Sequence, residues 1–223
     1  MQNDPVSNQY SSAVGERLEV VLPDGSLARL NTNSQINVTY SDDQRLIALQ
    51  KGEVWFQVES NKERPFHVDA GDARVTALGT AFNVHLKEES TQIAVTEGVV
   101  RVTDLREIPG RTPTSKVLRV NQQLLAQRQG WEISTADDLQ SELAWQQGQL
   151  VAQEMPLPQL VAELQRYSDT KIFISDPALF NRTVSGVFEL DEPQTSLQAL
   201  AISLGAEIQP VGDSSVRLLK ADQ

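Results

Sequence analysis

Between residues 16 and 134 the apolar positions keep a period of two, and turn signals break the runs. Leu18, Val20 and Leu22 stop at Pro23-Asp24-Gly25-Ser26. Ile36, Val38 and Tyr40 follow, then Val54, Phe56 and Val58, then Phe66, Val68 and Ala70, and later Val100 and Val102. Successive strand side chains point to opposite faces, so this alternation describes strands with one buried and one wet face. Pro presets φ and Gly accepts positive φ, which makes Pro-Asp-Gly a turn. Lys51-Gly52 and Glu97-Gly98 read as further turns. Many short strands at roughly ten-residue spacing predict an all-β unit of antiparallel strands. The stretches 49-LQKGEVWFQV-58 and 95-VTEGVVRVTD-104 echo one another. They hint at stacked or rolled hairpins, although two copies do not establish a solenoid.

After about residue 137 the period changes. Leu139, Leu143 and Trp145 suggest a short connecting helix, and 150-LVAQEM-155 reads as a strand. Leu157, Leu160, Val161 and Leu164 fit the i, i+3, i+4, i+7 template, as do Leu197, Leu200, Ala201 and Leu204. Strands are expected at 171-KIFIS-175, 184-VSGVFEL-190, 206-AEIQPV-211 and 215-SVRLL-219, with Asp176-Pro177 as a turn. The two helical segments share one apolar spacing, so a duplicated βαβ unit is expected. The predicted fold class is α+β: an N-terminal all-β domain followed by a small βαβ-βαβ-type domain. The expected organisation is a linker over 1–15, the all-β domain over 16–136, a connecting helix over 137–148 and the α+β domain over 149–223.

Composition restricts the chemistry. The net charge is −11, and Lys and Arg are scattered singly, which argues against a nucleic-acid partner. The chain has no Cys, so disulfides, thiol catalysis and thiolate metal sites are excluded. No apolar run approaches the length that spans a bilayer.

Side chains capable of chemistry are few. His67 and His85, the only histidines, both sit in strand patterns, and neither has a convergent partner. The acidic pairs Asp42-Asp43, Glu88-Glu89, Asp137-Asp138 and Asp191-Glu192 fall at predicted turns and read as solvated loops. Ser26, Ser34, Thr80 and Ser185 lie beside turns or strand ends, where hydroxyls satisfy backbone groups. Within 77-ALGTAFNV-84, Gly79 reads as a bend and Thr80 as its backbone partner. Trp55, Trp131 and Trp145 read as packing residues, with a glycan platform as the alternative. No residue is assigned to catalysis, to a cofactor or to a metal, and no enzymatic activity is expected.

Several stretches resemble the FecR family in family order: 15-GERLEVVLPDGSLARLNTNSQI-36, 45-RLIALQKGEVWFQVE-59, 63-ERPFHVDAGDARVTALGTAFNV-84 and 93-IAVTEGVVRV-102. The second half resembles the secretin/TonB short N-terminal (STN) domain through 150-LVAQEMPLPQLVAELQRYSDTKIFISDPAL-179 and 184-VSGVFELDEPQTSLQALAISLGAEIQPVGDSSVRLL-219. The resemblance implies an anti-sigma factor: a single-helix inner-membrane regulator of an extracytoplasmic-function sigma factor in cell-surface signalling. It implies a periplasmic location and a partner, the signalling domain of an outer-membrane TonB-dependent siderophore transducer. The sigma factor would be reached only through a cytoplasmic segment that this chain lacks, together with the membrane helix.

Strand addition to an open sheet edge is the expected binding mode. The candidate partner-binding residues are Lys171, Ile172 and Ile174 on one predicted strand, and Val184, Gly186, Phe188 and Leu190 on the other. A proline at Gly186 or a charge at Phe188 is expected to weaken that binding. A periplasmic glycan-binding module and a self-assembling structural module are the alternatives, and a homodimer is left open.

Overall fold

The computed structural model describes residues 6–106, 112–136 and 138–221. The first five residues of the expected linker, and Asp137 of the pair Asp137-Asp138, lie outside them. The chain divides into two units. One comprises the residues up to Ala13 with Arg17–Leu139, and the other Val14–Glu16 with Gln140 onward. Among the described residues, no helix is long and apolar enough to cross a membrane.

Among the described residues the first unit contains thirteen strands. They are β1 (Val6–Ser11), β2 (Leu18–Val21), β3 (Leu27–Leu30), β4 (Gln35–Tyr40), β5 (Arg45–Gln57), β6 (Phe66–Ala70) and β7 (Ala73–Ala77). Then come β8 (Ala81–Leu86), β9 (Ser90–Glu97), β10 (Val99–Asp104), β11 (Ser115–Arg119), β12 (Gln122–Gln127) and β13 (Gly130–Thr135). Residues 6–11, read from the sequence as linker, thus form β1, which pairs antiparallel with β4.

β5 joins two sheets. Its first part pairs with β4 and β6, and its second part with β3 and β8. One sheet runs β1-β4-β5-β6-β7-β10-β11, and the other runs β2-β3-β5-β8-β9-β12-β13. The β5–β6 pair is parallel and its neighbours are antiparallel. Both inner faces supply one core, and Phe56 of one sheet meets Phe66 of the other with ring centroids 5.7 Å apart.

Lys51-Gly52 is therefore not a turn between strands. It is the corner at which one strand passes from one sheet to the other, and the buried positions change phase there. Ile47 and Leu49 are buried before it, Val54 and Phe56 after it. Gly98 makes the equivalent crossing between β9 and β10, which explains the echo between 49–58 and 95–104. Gly52 has φ +86°, and a Cβ there would lie 2.2 Å from Ser34 Oγ and 2.6 Å from Ser34 Cα. The corner is held by Ser34 Oγ, which accepts from Glu53 N at 2.9 Å. Beside it the buried Glu53 carboxylate accepts from Asn31 Nδ2 and Asn83 Nδ2, each at 2.9 Å, with His85 Nδ1 at 3.8 Å.

A second buried node ties three segments of the first unit together. Arg45, with none of its surface exposed, donates to the Asp24 carboxylate, to Arg64 O at 2.9 Å and to Glu59 O at 2.9 Å. Asp24 also accepts from Ser26 Oγ at 2.7 Å and from Tyr40 Oη at 3.1 Å. Burial pushes the Asp24 carboxyl up, but the hydrogen bonds from Ser26, Arg45 and Tyr40 outweigh it and hold the group below the usual aspartate range. Burial, and then the adjacent Asp24 charge, push Tyr40 far above the usual phenol range.

After Val14–Glu16, the second unit takes up the chain within α1 (Leu139–Glu142), whose Leu139 is the first unit's last residue, and continues with a 3₁₀ turn at Ala144–Gln147. Then follow β14 (Gln149–Pro156), α2 (Leu157–Gln165), β15 (Lys171–Ile174), α3 (Pro177–Phe180), β16 (Thr183–Glu189), α4 (Pro193–Leu204), β17 (Ala206–Pro210) and β18 (Ser215–Lys220). The α+β reading with a βαβ-βαβ domain is overturned. Strand makes up 52% of the described residues against 16% helix, so the fold is mostly β. β14 pairs antiparallel with β16, while β15 pairs parallel with β18 and β18 antiparallel with β17. Helices α2 and α4 each connect strands of different sheets, so neither closes a βαβ unit. Periodicity reports that an element exists. Pairing is set by long-range packing that no local window contains. Asp176-Pro177 also differs from its reading as a simple turn. Asp176 Oδ1 accepts from Ala178 N at 2.8 Å and caps α3.

Two outcomes are expected. Gly52→Ala combines left-handed strain with a backbone clash and lowers stability by at least about 2–3 kcal/mol, read as the urea midpoint. The same change at Gly130, with open space around it and no positive φ, leaves the midpoint nearly unchanged. Asp24→Ala strands a buried guanidinium and costs about 3–5 kcal/mol at neutral pH. Because folding lowers the Asp24 pKa, its contribution is present above the ordinary carboxylate range and is lost as pH falls below about 4. Denaturant midpoints measured from pH 6 downward should fall more steeply in the parent chain than in the Asp24→Ala variant.

Candidate partner-binding edges

The two strands singled out in the sequence lie in different sheets of the second unit, and each has an open edge. β15 pairs only with β18 among the described strands, and β16 only with β14. Lys171 N donates to Ser214 O at 2.9 Å and Ser175 N to Leu218 O at 3.1 Å. The odd-numbered residues of β15 therefore turn their backbone groups to β18, and Ile172 and Ile174 turn theirs outward. The outward N–H of Ile172 is occupied: it donates to Gln165 Oε1 of α2 at 2.9 Å.

On β16, Leu190 N donates to Gly148 O at 2.7 Å, which places Phe188 and Gly186 in hydrogen-bonded register with Leu150 and Ala152 of β14. The outward backbone groups are then those of Ser185 and Val187. Val184, Phe188 and Leu190 are buried. They are packing residues, and a charge at Phe188 would unfold the unit rather than test an interface. Gly186 is exposed and a Cβ there meets only the Phe188 ring, at 3.6 Å. Proline at Gly186 would break the ladder to β14. The irregularity of this pair lies across from it on β14, where Glu154 has φ +49° and donates its N–H to Ser185 Oγ at 2.9 Å.

Sequence reasoning missed an apolar groove of about 140 Å³ between α4 and the face of the β15-β18-β17 sheet, reaching Ile172 on the edge strand. It is lined by Thr170 and Ile172, by Pro193 and Leu197 of α4, and by Ile208 and Val216 of the neighbouring strands. Ile172, Val216 and Ile208 are even-numbered positions of three strands in one sheet and share a face. That pairing was invisible in the sequence, so the groove was too.

The side chains considered for chemistry in the first unit have structural surroundings. His67 Nδ1 lies 3.0 Å from Thr76 Oγ1, and burial and then the Arg74 charge hold its pKa below the usual imidazole range. Ser26 and Ser34 bond the Asp24 turn and the Gly52 corner. Thr80 departs from expectation. Its buried hydroxyl has no hydrogen-bond partner among the described residues, and its methyl fills the space beside Gly98, where a Cβ would come within 2.7 Å. Gly79 has φ +86° and lies where β7 of one sheet gives way to β8 of the other. Trp145 is buried, and Trp55 lies under the Arg29 guanidinium, 5.1 Å from the ring centroid. Trp131 borders a cleft of about 490 Å³ between three hairpins, together with Asp72, Glu88 and Arg106. No three His, Asp or Glu side chains among the described residues are grouped to hold a metal ion.

Comparison with known proteins adds the following. Residues 8–101 match the family model described as FecR protein. No curated protein matches the sequence. Two crystal structures of a proposed anti-sigma factor from Parabacteroides distasonis ATCC 8503 are similar, at 2.50 Å and 1.65 Å resolution. Each is 27% identical, with TM-scores of 0.76 and 0.77, and the alignments cover 97% and 96% of this chain and 100% of the other. The likeness therefore reaches the residues from 140 onward, which the family match does not.

Proposed function

We propose that this chain, which carries a FecR domain over residues 8–101, is the signal-receiving part of a sigma-factor regulator. The observation that carries the reading is the end-to-end likeness to the anti-sigma factor structure, at 27% identity over 97% of the chain. A FecR match confined to the first unit would leave the second unexplained. In the finer reading the chain works in the periplasm of a Gram-negative bacterium. Its second unit binds the periplasmic signalling domain of an outer-membrane TonB-dependent transducer that senses a ferric siderophore. The regulator's membrane and cytoplasmic segments then pass the event to an extracytoplasmic-function sigma factor.

The chain acts by binding and not by catalysis. The open edges of β15 and β16 support this, because each offers outward backbone groups to an extended segment. The acidic surface is unsuited to nucleic acid, so contact with promoter DNA belongs to the sigma factor.

A competition measurement tests the reading. The chain is exported without a membrane anchor to the periplasm of a bacterium carrying the full regulator, and inducible sigma-dependent transcripts are quantified. Free chain should titrate the signalling domain and reduce siderophore-induced transcripts several-fold, while the destabilised Gly52→Ala chain has little effect. Unchanged induction at high periplasmic levels of folded chain would sink the proposal. The whole chain is needed, because Val14–Glu16 belong to the second unit and a fragment beginning near residue 148 lacks them.

A further inference from the structure

We infer that β15, and not β16, is the recognition edge, and that it takes an extended peptide strand whose central apolar side chain enters the groove beside Ile172 and whose flanks are basic. The inference rests on the reading that the second unit binds a partner segment, and it specifies the edge and the chemistry of that segment.

Three observations carry it. The first is the outward N–H of Ile172, which already holds an amide oxygen, Gln165 Oε1 at 2.9 Å. That oxygen stands where the carbonyl of an added strand would stand. Gln165 is the exposed last residue of α2, so its side chain can swing away without disturbing the core. The second is the groove. A strand laid beside β15 sends alternate side chains to the face shared by Ile172 and Val216. There the groove of about 140 Å³ has the size of one ring or one branched aliphatic side chain, since an apolar cavity of roughly 150 Å³ accepts benzene. The outward-face residues of β16, Ser185, Val187 and Glu189, are exposed.

The third observation is charge. Asp169 adjoins Thr170 of the groove, Glu192 adjoins Pro193, and Asp213 adjoins the Ser214 whose carbonyl accepts from Lys171 N. These three carboxylates outnumber the nearby cations Lys171 and Arg217, the latter adjoining Val216 of the groove, and the chain as a whole carries −11. An incoming segment with Lys or Arg on either side of its apolar residue complements that rim. The occupant is thus a segment of another protein, because unit-to-unit pairing of two copies would bring like-charged rims together.

The probe is a blocked nonapeptide that alternates threonine with valine or leucine and carries lysine at both ends. It is titrated into the isotopically labelled full chain, with the Ile172 amide as reporter. Saturable binding centred on Ile172 and Ile174 is expected. Gln165→Ala should tighten it about three- to tenfold by removing the competing acceptor. Gln194→Trp, at an exposed position on the groove wall, should weaken it at least about tenfold by filling the space. N-methylation of alternate peptide bonds, or aspartate at both ends, should abolish it.

Absence of binding at millimolar peptide overturns the inference. So does binding that is indifferent to N-methylation or Gln194→Trp, or that is centred on Ser185 and Val187. Any of these beside an intact competition effect on transcription discards the β15 assignment alone. Loss of the transcriptional effect with peptide binding preserved discards the regulatory reading and leaves the edge.

Discussion

The first unit depends on the approach of Gly52 to Ser34. A thirteen-residue strand must leave one sheet and enter the other, and its backbone passes so close to Ser34 that no side chain fits. Everything else in the sandwich is arranged around such crossings. Positive φ recurs at Asn33, Gly79, Gly98 and Asn121, each between a strand of one sheet and a strand of the other. At the Gly52 crossing the Glu53 backbone N–H and carboxylate are satisfied locally. Ser34, Asn31, Glu53 and Asn83 form a buried hydrogen-bonded set beside Gly52, where unpaired groups would each cost roughly 1–3 kcal/mol.

This explains why the stretches most diagnostic of the FecR resemblance are turns and crossings. The Pro23-Asp24-Gly25-Ser26 turn and the Arg64-Pro65-Phe66 segment converge on Arg45, far apart in sequence but joined by hydrogen bonds and by the Arg45–Phe66 contact at 5.4 Å. The 77–84 stretch supplies another crossing. Such positions are specific because buried geometry tolerates few residues, and that specificity made the resemblance legible. It also explains Thr80. A hydroxyl at a crossing looks like a backbone partner in the sequence, yet here the residue is used for its methyl against Gly98.

The period-two pattern from Leu18 onward made the strands of the first unit readable, and the change of period marked the two helices of the second. What could not be read was connection. Lys51-Gly52 has the composition of a turn, and only the phase change between Leu49 and Val54 betrays a corner. In the second unit the order of strands and helices was legible, but the pairing of β14 with β16 and of β15 with β18 was not. Register errors propagate to the site. Phe188 and Leu190, chosen as edge residues, face inward, and Val187, passed over, is exposed. Period two reports which side chains alternate. It does not say which alternate set is wet, nor which backbone groups lack a neighbour.

The contrast between the two open edges shows how an edge can be kept both soluble and usable. An unpaired strand invites aggregation, and covering it with a helix removes the hazard and the function together. At β15 the cover is a single exposed amide. Gln165 satisfies the Ile172 N–H by one hydrogen bond, whose net worth in water is about 1 kcal/mol. That is enough to occupy the donor when the chain is alone. It is too little to compete with a strand that forms several such bonds and fills an apolar groove at the same time. At β16 the outward backbone groups flank the exposed Val187. A strand added at β15 would therefore gain side-chain burial as well as ladder hydrogen bonds.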